Sequence, residues 1–487
     1  MRTTSEIAEA FGLELLGHER LGQEQAAKNR VEISSVAISS IDCQPGSLFI
    51  AVQGQNAHGI DFLASATAAG AVAVLSDRAV QTDLPHFIHP DPRIIAGALS
   101  AFVMETMDLG LQIFAVTGTN GKTSTGFYLH QLLLQLGVQA GLSSSAFTQI
   151  DRGRVQSTLT TPEAPRLHWL LAQMAGAGAK AAVIEVSAQA LVKNRIDGVV
   201  FDVAGFTNLT RDHLDDFASM ENYLAAKALL FKGQFSKCAV INAEDDLGER
   251  MLNLANKQSL EQLASIGDNR DYDFEQTDAG IRIFGKQEVL LVCDLGPLMA
   301  KNLVLAVVML LEAGYGGRAI ESAVTAIESV VPGRMELVSE AEPHFYIDYA
   351  HTPQAVELAA RELSEKYPKL VIVLGASGDR DPGKRIEMGR AAAKYASHIV
   401  VTDQHPRNEE PSAIRAAIIA GILETKPAEF VTEVGDPVLA ISQALRLLSV
   451  GGAILWCGPG HLKYREVKGK KLPFDASLEA RKALNLD

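Results

Sequence analysis

The chain has 487 residues, of which 47% are hydrophobic and 21% charged, and its 44 basic against 58 acidic side chains give a net charge of −14. At roughly 100–200 residues per domain, this length calls for about three domains, each able to bury its own core, and the composition excludes a disordered chain. The acid excess excludes the basic footprint expected of a nucleic-acid-binding protein.

The polar start, Met1 to Glu6, leads into a short helical pattern without a signal-peptide core. Residues 1–109 read as a small α/β domain. It holds a strand at 47–53, a helix at 62–71, a strand at 72–75 and an Ala-rich helix at 94–107, with Asp108-Leu109-Gly110 as a hinge. Residues 110–333 alternate short strands, apolar on both faces, with helices: 113–116, 181–184, 203–206 and 239–241. That pattern predicts a parallel sheet covered on both sides, and Pro332-Gly333 closes the unit. Residues 334–487 repeat the theme with strands at 345–348, 370–374, 398–402 and 453–456 and a helix at 386–395, a second doubly wound, Rossmann-like domain. The longest strongly apolar run, Leu303 to Leu311, is well short of the ~20 residues of a membrane span. Cys43, Cys238, Cys293 and Cys457 are far apart and form no CxxC pair, so they read as core residues in a reducing cytosol. A soluble cytoplasmic protein is expected.

The strongest local signal is Val116-Thr-Gly-Thr-Asn-Gly-Lys-Thr123, between a buried strand and a helix. Its glycines let backbone N–H groups converge on phosphate oxygens, Lys122 brings a charge to them, and the Thr123 hydroxyl can hold Mg²⁺. Val116 stands where the usual phosphate-loop pattern has its first glycine. Glu185 ends one strand and His213 follows another. The carboxyl ends of strands are where ligands collect in α/β sheets, so a carboxylate and an imidazole there suit a shared Mg²⁺. Taken alone, Glu185 also reads as a solvated edge residue, His213 as a turn residue, and Lys227, among alanines on a helix, as a surface lysine. The charged, Gly-rich loop Gly378-Asp-Arg-Asp-Pro-Gly-Lys-Arg385 suits phosphate and ribose, or solvent.

Several stretches in order resemble the Mur ligase family, most closely the type that makes the muramoyl-tripeptide (MurE type). They are Pro45-Gly-Ser-Leu-Phe-Ile-Ala-Val52, Gly118 to Thr123, Thr160-Thr-Pro162, Glu185-Val-Ser187, Thr207-Asn-Leu-Thr-Arg-Asp-His-Leu-Asp215, Ala226-Lys227, Pro332-Gly-Arg-Met-Glu336, Asp348-Tyr-Ala-His-Thr-Pro353 and the 378–385 loop. The resemblance covers almost the whole chain. It implies a three-domain ligase in peptidoglycan precursor synthesis, and so in cell shape and division. The first domain would hold a uridine nucleotide, the second ATP and the third an amino acid. An amino acid would be joined to the D-Glu of UDP-N-acetylmuramoyl-L-Ala-D-Glu through an acyl phosphate. By the same resemblance, Gly118, Thr119, Asn120, Gly121, Lys122, Thr123, Ser124, Asn208, Arg334, Asp348 and Lys384 would bind ATP. Lys122, Glu185, His213 and Lys227 would be catalytic, and Thr123, Glu185, His213 and a carbamylated Lys227 would hold Mg²⁺. Ser40, Thr160, Thr161, Ser187, Arg195, Arg380, Gln404, His405, Arg407 and Gly458 would contact the muramoyl-peptide or the amino acid. Small molecules are the expected partners of a monomer, with no nucleic acid and no membrane insertion.

Several positions depart from the family pattern. Ser39-Ser40-Ile41 replaces Asp-Ser-Arg, Ser187-Ala188-Gln189 replaces Ser-Ser-His, and Phe217 stands where a histidine usually follows. In the acceptor motif, Gln404-His405-Pro406-Arg407 replaces Asp-Asn-Pro-Arg, and Leu462 replaces the glutamate of Gly-His-Glu. Loss of that glutamate disfavours meso-diaminopimelate and brings L-lysine and L-ornithine into competition. A Mur-like ligase for another acyl substrate, a non-catalytic homologue and a generic phosphate-loop ATPase are the alternatives. Retention of Lys122, Thr123, Glu185, His213 and Lys227 speaks against a non-catalytic homologue.

Overall fold

A computed structural model describes residues 1–16, 30–54, 57–151, 153–448 and 450–486. The largest sheet has eight strands. In spatial order they are Arg154–Gln156, Phe147–Gln149, Ala140–Ser143, Ala181–Glu185, Gln112–Thr117, Phe201–Phe206, Ser236–Asn242 and Gln262–Ile266. The last six run parallel, and the first two form an antiparallel edge. The parallel strands are apolar on both faces because both are covered. Phe114 and Val116 face a cluster with Phe127, Leu303 and Val307, whereas Ile113 and Ala115 face Leu167, Ile184 and Phe206. The helix Pro297–Glu312 is buried along nearly its whole length and packs on the helix Lys122–Gln135.

The third sheet orders its strands Glu336–Ser339, His344–Asp348, Ala453–Cys457, Leu370–Leu374, His398–Val401 and Val431–Glu433, parallel except for the first. The N-terminal sheet orders Glu14–Leu16, His86–Ile88, Ala71–Ser76, Ser47–Ala51 and Ser35–Ala37.

Helix limits shift where caps decide them. The helix expected at 94–107 runs Pro92–Met104, started by the Asp91 side chain on the Arg93 N–H and stopped by Glu105 in the left-handed region. The stretch expected as one helix at 62–71 is a 3₁₀ turn, Gly59–Phe62, followed by a short helix, Leu63–Ala68. The antiparallel hairpins were not expected. They are Asp273–Thr277, Gly280–Phe284 and Val289–Leu291, and the pair Tyr464–Val467 and Lys470–Pro473. Cys238 and Cys457 are buried, Cys43 and Cys293 half-buried, and all four are free. No helix among the described residues is long and apolar enough to cross a membrane.

Candidate active site

The Gln112–Thr117 strand lies where the strand order reverses, so the loop after it opens between the ends of two neighbouring strands. Gly118 has φ +147°, and a Cβ there would lie 1.8 Å from Thr207 Oγ1. Only glycine lets the loop turn this close to the next strand's end. The loop is braced from that side. Thr119 N donates to the Asn208 carbonyl (2.9 Å), Asn120 N donates to Asn208 Oδ1 (3.0 Å), and Asn208 Nδ2 donates back to the Asn120 carbonyl (3.1 Å). Lys122 begins the helix and folds over the loop, its Nζ donating to the carbonyls of Thr119 (2.9 Å) and Gly118 (3.1 Å). Those carbonyls hold the amine where a phosphate would meet it.

Glu185, only 3% exposed, accepts several hydrogen bonds. Its Oε2 accepts from Ser145 N (2.8 Å), Ser145 Oγ (3.1 Å) and Thr123 Oγ1 (3.1 Å). Two hydroxyls and a carboxylate in such proximity are the hard donors that Mg²⁺ prefers, so this set fits the ion. His213 sits in the left-handed region at the start of a short helix. Its Nδ1 lies 2.9 Å from Gln189 Nε2, and its Nε2 3.4 Å from Asp212. Burial pushes its pKa down to about 4, against the opposing pull of Asp212, so the imidazole is neutral near neutral pH.

Lys227 is not a surface lysine. It is 1% exposed, its Nζ donates to the Gly118 carbonyl (2.7 Å), and it sits 4.5 Å from the centre of the Tyr223 ring. Burial, reinforced by the Lys122 charge, holds its pKa well below the usual lysine range.

The third sheet completes the site from across the cleft. Arg334 Nη2 donates to Thr123 Oγ1 (3.2 Å), Nη1 lies 3.2 Å from His461 Nδ1, and the guanidinium stacks over Tyr349. His461 Nε2 is 3.1 Å from the Ser145 carbonyl. Asp348 accepts from the backbone N–H groups of Met335 and Ala350 (both 2.7 Å) and so fixes the chain on either side of Arg334's approach. Lys384, expected at ATP, donates to Asp212 Oδ1 (3.1 Å). Asp212 is 4% exposed and also faces His351 (3.5 Å) and His213. Burial alone would raise its pKa, but His351, His213 and Lys384 outweigh that and hold the carboxyl well below the usual range.

Farther along the same wall, Arg380 pairs with Asp215 (3.6 Å). Arg407, at φ +53°, donates from Nε to Glu466 Oε2 (3.2 Å) and from Nη1 to the Gly378 carbonyl (3.3 Å). His405 is buried, and its Nδ1 accepts from Glu466 N (3.0 Å). Burial pushes its pKa to about 4. The Gln404 amide presses on Gly458, where a Cβ would lie 2.5 Å from Gln404 Oε1, and that oxygen is buried without a hydrogen-bond partner.

One cavity of about 550 Å³ joins these groups. It is lined by Thr119 to Ser124, Thr160, Glu185, Asn208, His213, Arg334, Asp348, Arg380, Lys384, Gln404, His405 and Arg407. Gly118, Lys227 and Gly458 lie behind its wall. Three expected contact residues brace it instead. Thr161 Oγ1 donates to the Glu185 carbonyl (2.9 Å), Ser187 caps the helix Ala188–Val192, and Arg195 pairs with Glu163 (2.9 Å). Ser40 opens a 3₁₀ turn in the N-terminal domain and does not line this cavity. Sequence reasoning did not single out Ser145, Asp212, His351, His461 or Glu466. Asp212, His351 and His461 sit inside the family-like stretches, which is the available signal. Ser145 and Glu466 carry none.

Three family profiles match the chain in order: "Mur ligase family, catalytic domain" over residues 32–108, "Mur ligase middle domain" over 116–309, and "Mur ligase, glutamate ligase domain" over 333–460. The chain is 42% identical over 460 residues to a UDP-N-acetylmuramyl-tripeptide synthetase of Leifsonia xyli subsp. xyli, covering 91% of this chain and 89% of that relative. It is 36% identical over 458 residues to a UDP-N-acetylmuramoyl-L-alanyl-D-glutamate–2,6-diaminopimelate ligase of Streptomyces avermitilis, covering 91% and 90%. Among solved structures, a ligase of the latter name aligns with a TM-score of 0.65 at 27% identity, covering 100% of this chain and 99% of that one. MurF from Acinetobacter baumannii shares the fold, with a TM-score of 0.69 at 20% identity over 94% and 95% of the two chains. On these matches, and with its phosphate loop and third domain closed around one cavity, the chain belongs to the Mur ligase family.

Proposed function

We infer that the protein is an ATP-dependent amide ligase. It would join a diamino acid to the D-Glu γ-carboxylate of UDP-N-acetylmuramoyl-L-Ala-D-Glu in peptidoglycan precursor synthesis. The observation that carries this reading is the convergence of Lys122, Thr123 and Glu185 with Arg334 and Arg407, two domains' charges, on one cavity. A carboxylate is a poor electrophile. Attack of its oxygen on the γ-phosphorus of ATP releases ADP and gives an acyl phosphate. The amine, once deprotonated, adds to the acyl carbon, and the tetrahedral adduct collapses to amide and inorganic phosphate.

The protein's part is positioning and charge neutralisation. The loop N–H groups and Lys122 hold the phosphates of ATP, and Arg334 reaches them from the third domain. Thr123, Glu185 and His213 would hold Mg²⁺, which when bound neutralises phosphate charge. Lys227 is buried, and burial lowers its pKa, which favours the neutral amine that takes up CO₂ with loss of one proton. The carbamate so formed would be a further anionic partner for the metal. The N-terminal domain would take the uridine nucleotide, and the protein would work as a cytoplasmic monomer.

The test is ADP release with UDP-N-acetylmuramoyl-L-Ala-D-Glu and single amino acids, with product mass. ADP that requires both co-substrates, and a product heavier by one amino-acid residue, is expected. ATP turnover that ignores the nucleotide, or that needs a different acyl substrate, would contradict the reading.

A further inference from the structure

We propose that Glu466 selects the acceptor, by taking the side-chain ammonium of a diamino acid. This rests on the ligase reading above and names a determinant within it.

The carboxylates lining the cavity are Glu185, Asp212, Glu244, Asp245, Asp348 and Glu466. Four are committed elsewhere, and a fifth, Asp245, caps a helix through Oδ1 and makes no hydrogen bond or ion pair with Arg407 among the described residues. Glu185 holds Thr123 and Ser145. Asp212 holds Lys384, Asp348 holds two backbone N–H groups, Glu244 pairs with Lys301 (2.8 Å), and Asp245 caps the helix Asp246–Ala255. Glu466 has a single side-chain partner, Arg407, through Oε2, and its Oε1 makes no hydrogen bond among the described residues. Its side chain is 33% exposed.

The residue is also held in place. It lies on the hairpin Tyr464–Val467/Lys470–Pro473. Its carbonyl accepts from Arg407 N (3.0 Å), the Arg407 carbonyl accepts from Lys468 N (2.7 Å), and its own N–H donates to His405 Nδ1 (3.0 Å). Arg407 adopts the left-handed backbone region to make these bonds, a conformation that costs energy and is kept where neighbours enforce it. The hairpin thus brings a carboxylate to the cavity wall beside Arg407.

Arg407 and Glu466 together are neutral. A carboxylate with free lone pairs beside them calls for a donor-only cation, and the acceptor's own carboxylate finds unused N–H groups on Arg407. A diamino acid supplies both charges, whereas a mono-amino acid leaves Glu466 without its second partner once its reacting amine is deprotonated.

The experiment compares kcat/KM for L-2,4-diaminobutyrate, L-ornithine, L-lysine and meso-diaminopimelate with that for L-norleucine, in the wild type, Glu466→Gln and Glu466→Asp. The wild type is expected to prefer one or more diamino acids over L-norleucine by at least about tenfold. Glu466→Gln should reduce that preference by roughly 10–100-fold, the worth of one charge-assisted hydrogen bond, and Glu466→Asp should retain most of it. The ratio between substrates cancels any general loss of folded enzyme. An unchanged preference in Glu466→Gln, or a wild type that prefers L-norleucine, would overturn the assignment of Glu466 while leaving the ligase reading intact. Absence of ADP release with every amino acid would overturn the ligase reading itself, and the assignment with it.

Discussion

Arg334 Nη2 lies 3.2 Å from Thr123 Oγ1, so a residue just past the Pro332-Gly333 boundary touches the hydroxyl at the start of the phosphate-loop helix. The contact ties the third domain to the site where ATP is expected. Arg334→Ala is therefore expected to lower kcat/KM for ATP by ~10²–10³-fold, the range seen when a donor to a developing anion is removed. Arg334→Lys should recover little, because a lysine lacks the planar fork that meets Thr123, His461 and Tyr349 at once. Steady-state kinetics on both variants would check this.

Lys227 is expected to carry CO₂ as a carbamate. Enzyme equilibrated with ¹³C-bicarbonate should show a carbamate carbon resonance that is absent in Lys227→Arg, and Lys227→Arg should lose most of its activity while remaining folded. No resonance in an active wild type would contradict carbamylation of Lys227.

The parallel strands were legible because burial on both faces writes a run such as Val183-Ile184 or Ile372-Val373 directly into the sequence. The strand Asp273–Thr277 was not, because most of its length is polar and exposed. Lys122 and Thr123 were legible because a phosphate loop is one contiguous stretch. The Asp212–Lys384 pair was not, since its partners are 172 residues apart and lie beyond the strand ends of different sheets. Lys227 shows the same limit in reverse. Residue type argues for solvent, and only the neighbouring Gly118 carbonyl and Tyr223 ring explain how the amine is buried.

Asp212 is the shared partner of Lys384, His351 and His213. Asp212→Asn leaves Lys384 buried without a counter-charge, a change that typically costs ~3–5 kcal/mol when one member of a buried pair is removed. A lowered denaturation midpoint is expected, together with a fall in kcat as His213 loses its Nε2-side neighbour. Chemical denaturation and kinetics on the same preparation separate the two effects. An unchanged midpoint would mean that the cluster contributes nothing to the closed arrangement.

Acid should destabilise the fold in a defined window. Burial pushes His130 from 6.5 to about 4, against the smaller opposing effect of its bond to the Ala140 carbonyl. The unfolded chain then binds a proton at a higher pH than the folded one, so stability is lost as pH falls from 6.5 toward 4. His213 and His405 add the same sign. His130→Gln should flatten the dependence by up to one proton, ~1.4 kcal/mol per pH unit within that window. Urea denaturation across pH 4–7 measures it.

An acyl phosphate leaves a mark in the products, because the oxygen that attacks ATP departs with the phosphate. With UDP-N-acetylmuramoyl-L-Ala-D-Glu labelled with ¹⁸O in the γ-carboxylate, one labelled oxygen is expected in the inorganic phosphate released with each amide formed. Amide product accompanied by unlabelled phosphate would exclude an acyl phosphate.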